Sequence, residues 1–236
     1  MNAGLEQLTD VVPAVDFGAD CRPALLVIDM QYHDASPDHG LNLAWNRIAP
    51  GSMDYYNERL RATTVPAIQR LLVDFRQREL PVVHLVIGSP YRDLRDCPPR
   101  FREWARNLER EAGIEDLWWS GNPDFRILEE LTPQEDETVV RKTTNGAFNG
   151  SRLHDVLANM GVDTLVITGV VTSACVETTA RDAADRGYHC VLVDEATADY
   201  DPDMHDATLR AFRLNLGRVA ATADDVTTAV ANGGSI

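Results

Sequence analysis

Short apolar runs alternate along this chain with longer segments in which apolar residues recur every three or four positions. The runs at 24–29, 82–87, 138–141, 164–168 and 190–194, with a last short one at 218–221, are rich in Val, Ile, Leu and Thr and predict strands. Between them, 55–79 predicts a long helix with Ile68, Leu71, Leu72 and Phe75 on one face. Further helices are predicted at 151–160, with Ser151 as its cap, and at 176–186, stopped by Gly187. A fourth, at 202–216, has Pro202 in its first turn and Asp201 as its cap. Strands that alternate with helices in this way form a parallel sheet wrapped on both faces, so the expected fold is a doubly wound α/β sheet of about six mostly parallel strands. Ligands of such sheets bind beyond the carboxyl ends of the strands, which makes residues at those ends the first candidates for chemistry.

Composition narrows the classes of function. A chain of 236 residues that is 44% hydrophobic buries a full core and is most simply read as one domain. Its 37 acidic against 22 basic residues give a formal charge of -15, which argues against nucleic-acid or anionic-membrane surfaces as partners. The opening residues lack a basic start followed by an apolar stretch, and no apolar run approaches membrane-spanning length, so a cytoplasmic protein is expected. Cys21, Cys97, Cys175 and Cys190 are scattered and form no CxxC pair, and are expected to be reduced thiols.

Cys175 lies where the strand predicted at 164–168 gives way to the helix at 176–186. A thiol at a helix N-terminus is placed to have its thiolate stabilised by exposed amides and the helix dipole, although a free cysteine is also a common small core residue. Asp29 closes the first predicted strand and Lys142 follows the third. Either alone reads as a solvated charge at a strand end. Together, the three residues would deliver a carboxylate, an ammonium and a thiol to one rim, a set suited to nucleophilic acyl chemistry.

Leu26-Val27-Ile28-Asp29-Met30-Gln31, Lys142 followed by Gly146-Ala147-Phe148, and Gly169-Val170-Val171-Thr172-Ser173-Ala174-Cys175-Val176, together with the later Val193-Asp194-Glu195-Ala196, resemble in order the signatures of the isochorismatase-like cysteine hydrolases. The resemblance divides the chain into an N-terminal extension, 1–22, and a hydrolase domain, 23–236. It implies a Rossmann-like sheet, a homodimer or homotetramer, and a catalytic triad of Asp29, Lys142 and Cys175. It further implies a non-proline cis peptide between Val170 and Val171 and an oxyanion hole formed by the backbone N–H groups of Val171 and Cys175.

The reaction this implies is hydrolysis of a non-peptide C–N bond of a small molecule, an amide, ureide or lactam, through a thioester on Cys175. Family members that cleave a vinyl ether lack the cysteine, so the presence of Cys175 points to C–N hydrolysis and leaves isochorismatase-type ether hydrolysis as the alternative. A redox-sensing thiol protein and a noncatalytic scaffold are the remaining readings. No cofactor is expected. The nicotinamidase pattern of an Asp-x-His metal pair is not matched, since Asp54 is followed by Tyr55 and Tyr56. No metal is expected either, although His33 and His39, with Asp34 or Asp38, lie in a polar stretch that could hold one. His84, inside an apolar run, reads as a core histidine.

Substrate selection should come from what covers the rim. The stretch 32–56 shows little apolar periodicity and reads as a lid or a subunit contact. Gln31, Tyr91, Arg92, Phe148 and Asn149 are the candidate substrate-binding residues, with Phe148 as a pocket wall. The Trp118-Trp119 pair reads more readily as core or interface than as pocket lining, and Glu177 as a first-turn partner of the helix dipole.

Overall fold

Every residue of β1 (Pro23–Ile28) is buried, and its side chains divide between two cores. Ala24, Leu26 and Ile28 point into one and Leu25 and Val27 into the other, as the two-residue period of a strand requires when both faces of the sheet are covered. Each fully buried Leu or Ile contributes roughly 1.5–3 kcal/mol, so these runs set the position of the strand in the sheet. The computed structural model describes residues 8–236; the first seven residues of the expected extension 1–22 lie outside the described residues.

The remaining strands are β2 (Val82–Ile87), β3 (Thr138–Lys142), β4 (Thr164–Val170), β5 (His189–Ala198) and β6 (Arg218–Ala220). They form one six-stranded sheet in the order β3-β2-β1-β4-β5-β6, and every pairing is parallel. The chain builds outward from β1 to one edge, then restarts at β4 and builds to the other. The crevice between the carboxyl ends of β1 and β4 is therefore the topological switch point of the sheet, where doubly wound folds bind ligands. Gly169 allows β1 and β4 to close up there: its φ is +105°, and a Cβ would lie 2.1 Å from the Ile28 carbonyl oxygen.

The helical run expected at 55–79 has its apolar face where the periodicity puts it, with Ile68, Leu71, Leu72 and Phe75 buried. It is not one regular helix. An α-helix at Asp54–Arg59 passes through a wide π turn at Leu60–Thr64 into a second α-helix at Val65–Gln77. Pro66, which has no amide hydrogen to give the helical ladder, falls just after that π turn. Asp201 caps Pro202–Asn215 by accepting from the amides of Asp203 and Met204. Ser151 lies ahead of the short helix Leu153–Asn159, to which its hydroxyl accepts the Leu153 amide at 3.0 Å.

Two helices appear where no helix was expected, at Pro99–Ala112 and Ala223–Asn232. The second is opened by a capping box between Thr222 and Asp225. The stretch 32–56 also contains helices, Tyr32–Ala35 and Gly40–Ile48, with Leu41 and Ala44 buried against the core. β5 runs four residues beyond the expected end at 194, past a register shift opposite Ile167 and Gly169. The polar pair that suggested an end is accommodated at that irregularity: Asp194 meets Arg59 and His205, and Glu195 meets Arg70. His84 is buried within β2, with its Nε2 3.1 Å from Glu137, and burial pulls its pKa down against the pull of that carboxylate. No helix among the described residues is long and apolar enough to cross a membrane.

Candidate active site

Asp29, Lys142 and Cys175, from three strand ends, converge beyond the carboxyl edge of the sheet. Asp29 follows β1 in a left-handed conformation, φ +52°, uncommon for a non-glycine residue, and its amide donates to the Leu85 carbonyl at 2.9 Å. That turn directs the carboxyl inward rather than along the strand. Lys142 is the last residue of β3, and its Nζ lies 2.7 Å from Asp29 Oδ2 and 3.2 Å from Cys175 Sγ. It also donates to the Thr144 carbonyl at 3.0 Å. Asp29 and Lys142 are each 1% exposed and Cys175 is 9% exposed, so the three groups interact with little solvent screening.

Cys175 stands in a π turn, Thr172–Val176, that leads directly into the helix Glu177–Asp185. In this turn the Val176 amide reaches back to the Val171 carbonyl at 3.2 Å, and wide turns of this kind recur at functional sites. The Val170–Val171 peptide is cis. The turn is further fixed by Asp199, fully buried after β5, whose Oδ2 accepts the Ser173 amide at 2.6 Å and whose Oδ1 accepts its neighbour Tyr200's amide at 2.8 Å. Thr172 meets His205 Nδ1 at 2.9 Å, linking the same turn to Asp194 and Arg59.

The electrostatics differ from the expectation of a thiolate stabilised at a helix N-terminus. Burial pushes the Cys175 thiol far above the ordinary thiol range, and the Lys142 ammonium only partly opposes it. Cys175 lies inside a continuous helical run and out of water, so desolvation outweighs the dipole. Burial likewise pushes the Asp29 carboxyl up to about 6, against the pull of Lys142. Burial pulls the Lys142 ammonium down, but Asp29 and the thiol outweigh that and leave its pKa raised. These directions favour a neutral thiol beside the Asp29–Lys142 pair.

These residues open into a cavity of about 390 Å³. Asp29, Cys175, Val171 and Asn145 line its chemical end, with Asn145 Oδ1 3.9 Å from the sulfur. Around them stand Trp45, Phe101, Trp104, Trp118 and Tyr200, with Arg100 and Asp34 as further charged lining. Trp118 is thus both core and wall. Its neighbour Trp119 donates instead to the Pro90 carbonyl at 3.2 Å and lies under the Arg92 guanidinium.

The five candidate substrate-binding residues are not part of this lining. Tyr91 is exposed and stacked with Arg95, and Arg92 pairs with Asp116 at 3.2 Å. Phe148 is buried against Tyr188, with Arg186 over its ring, and Asn149 is exposed. Gln31 is buried and tethers two segments, accepting from the Ile87 amide and donating to the Phe125 carbonyl, both at 2.7 Å. Its position is that of a brace beneath the site. Sequence reasoning missed Phe101, Trp104 and Arg100, all on the helix Pro99–Ala112. The signal was present: Phe101, Ala105, Leu108 and Ala112 recur at helical spacing after a proline at the first position.

His33 and His39 do not come together as a metal pair. His33 is buried with its Nδ1 3.1 Å from Asp34 Oδ2, whereas His39 Nδ1 meets Ser36 at 2.8 Å. Among the described residues no three His, Cys, Asp or Glu side chains are grouped to hold a metal ion. Glu177 pairs with Arg181 one turn along its helix, at 2.6 Å.

With this geometry in view, the similarities to known proteins are consistent with one another. A family model for the isochorismatase domain matches residues 23–224. A secreted isochorismatase effector of Verticillium dahliae is 30% identical over 152 residues, covering 63% of this chain and 68% of that protein. A maleamate amidohydrolase of Pseudomonas putida is 29% identical over 203 residues, covering 86% of this chain and 84% of its own length. The crystal structure of a cysteine hydrolase from Pseudomonas syringae superposes with a TM-score of 0.74 at 26% identity, covering 90% of this chain and 93% of that one.

Proposed function

Because the chain belongs to the isochorismatase family, its domain model spanning residues 23–224, we propose that it is a cysteine-dependent hydrolase of a small-molecule C–N bond, acting on an amide, ureide or lactam through a thioester. The observation that carries this reading is Lys142 Nζ lying 2.7 Å from Asp29 and 3.2 Å from the Cys175 sulfur, at the end of a mostly aromatic cavity. A base, a cation and a nucleophile in one dry site are the parts that acyl transfer needs.

In the proposed reaction, the Asp29 carboxylate takes the thiol proton as the Cys175 sulfur bonds to the substrate carbonyl carbon. Deprotonation coupled to attack suits a thiol whose own pKa is raised, since a free thiolate is not required beforehand. The negative charge of the tetrahedral intermediate falls on the former carbonyl oxygen, to which the Val171 and Cys175 amides donate; one such donor is worth about 3–4 kcal/mol. Protonated Asp29 passes its proton to the leaving nitrogen, the C–N bond breaks and a thioester remains. Asp29 then takes a proton from water as the water oxygen attacks the thioester carbon. The C–S bond breaks, the acid departs and the sulfur recovers its proton. Lys142 stays charged throughout and holds Asp29 in place.

The relatives favour C–N cleavage to the extent that one of them is a maleamate amidohydrolase. Vinyl ether cleavage, the alternative, gives a thiol beside a buried lysine no task. The test is ammonia or amine release from a panel of small amides, ureides and lactams, with rapid-quench mass spectrometry of the protein. Multiple turnovers with an acyl adduct on Cys175 support the reading; turnover retained in full by Cys175→Ala overturns it.

A further inference from the structure

Resting on that hydrolase reading, the cavity wall bears on which amide is cleaved. Maleamate, the substrate named for one relative, is a small polar acid. The wall here is mostly aromatic. Phe101, Trp104 and Trp118 form one cluster, with ring centroids 5.0 Å apart for Phe101–Trp118 and 4.9 Å for Trp104–Trp118. Trp45 and Tyr200 form a second, 4.6 Å apart. At such spacings the rings pack on one another, and the faces and edges they turn to the cavity favour a substrate ring laid against them over an aliphatic chain of equal size. The volume of about 390 Å³ also exceeds what a small amidic acid needs, since a cavity of about 150 Å³ already admits benzene.

Two further charges line the wall, Asp34, which already meets His33 Nδ1 at 3.1 Å, and Arg100. Arg100 lies beside Phe101 on the helix Pro99–Ala112, solvent-exposed at the edge of the cavity, and among the described residues its side chain has no ion-pair or hydrogen-bond partner. Its neighbours on the preceding loop are satisfied: Arg92 pairs with Asp116 and Arg95 with Asp93. On a chain of formal charge -15, a guanidinium at the pocket edge with no carboxylate partner is open to an anionic group of a ligand. The catalytic lysine does not compete for that role, because Asp29 already neutralises it at 2.7 Å.

We infer that the substrate carries an aromatic ring and, remote from the scissile amide, an anionic group that Arg100 engages. The ring packs among Phe101, Trp104 and Trp118, and the amide end reaches Cys175. Binding to the Cys175→Ala protein, measured by calorimetry, tests this without requiring turnover. The probes are para-carbamoylbenzoate, benzamide and maleamate. The expected order places para-carbamoylbenzoate about tenfold or more tighter than either other ligand. Adding Arg100→Ala removes its advantage over benzamide and leaves benzamide binding unchanged. Adding Trp104→Ala weakens both aromatic ligands and leaves maleamate unchanged. Maleamate bound as tightly as para-carbamoylbenzoate, or an advantage that survives Arg100→Ala, overturns the inference. Ammonia release by the wild-type protein is scored separately: the expected binding order with no release from any probe argues against hydrolysis, whereas release from maleamate alone sustains hydrolysis and rejects the aromatic class.

Discussion

The Lys142 ammonium lies 2.7 Å from the Asp29 carboxylate with both side chains out of water. Burial raises the Asp29 carboxyl to about 6 while Lys142 pulls it down. In the proposed reaction Asp29 is the general base and must be ionised, so kcat/KM is expected to fall as pH drops through about 6 and to level off above it. Lys142→Met removes the opposing charge and keeps the volume. Its acid limb is expected to move to higher pH, with kcat lowered by roughly 10²–10³. The pH–rate profiles of the two proteins check this; an acid limb that stays in place would show that Lys142 does not act through Asp29. The sign for stability follows the same shift. A carboxyl raised in the fold gives its greatest contribution below the unfolded value of 3.8 and loses it as pH rises to about 6, so at neutral pH ionised Asp29 works against folding.

Cys175→Ala removes the proposed nucleophile, which also packs in the core. Turnover is expected to vanish, while stability changes by only about 1 kcal/mol, the usual scale for a small buried truncation. Urea denaturation measures the second quantity and amide turnover the first. A loss of activity accompanied by a collapse of the fold would leave the sulfur a structural role rather than a chemical one.

Gly169→Ala is expected to be far more damaging than its size suggests. The added Cβ would meet the Ile28 carbonyl at 2.1 Å and the Ile28 nitrogen at 2.6 Å, backbone atoms that cannot move aside, at a φ of +105°. Steric crowding and the left-handed conformation together predict a loss of about 3–5 kcal/mol. Gly187→Ala is the control, since its φ is also positive, +91°, but nothing lies within 4 Å of the added atom; about 1–2 kcal/mol is expected there. Equal losses at the two positions would remove the close approach of β1 and β4 as the reason for Gly169.

The sheet and the three residues at its rim were legible because period and position carry them. A strand buried on both faces leaves an apolar run, which Asp29 follows at β1, and Lys142 closes the β-branched run of the edge strand β3. The pocket wall was not legible for the opposite reason. Trp45, Phe101, Trp104 and Tyr200 come from separate segments, and only the fold brings them to one cavity. Tyr91 and Arg92 follow β2, as a rim residue should, yet Ser89 pairs in a bridge with Trp119 and the loop turns outward, where Arg92 meets Asp116. Phe148 is close to Lys142 in sequence but packs on Tyr188. The raised thiol was hidden by the same limitation: a strand-to-helix turn suggests an exposed helix end, whereas the π turn at Thr172–Val176 carries Cys175 into the interior.

Asp199 is expected to govern how well Cys175 is aimed, without touching substrate. Its carboxylate accepts the Ser173 amide at 2.6 Å from inside the protein, and Ser173 lies two residues before the nucleophile in the same turn. A hydrogen bond to a charged acceptor contributes about 1.5–3 kcal/mol, and its loss leaves a buried amide unpaired as well. Asp199→Ala should therefore lower kcat roughly 10–100-fold, the kinetic equivalent of that energy, with KM little changed. Asp199→Asn, which keeps one oxygen able to accept only one of the two amides now held, should fall between. The rate of Cys175 alkylation by iodoacetamide should drop in parallel with kcat across the series, because both report on the same sulfur. A series in which melting temperature falls while kcat and alkylation stay at the wild-type level would reduce Asp199 to a purely structural residue.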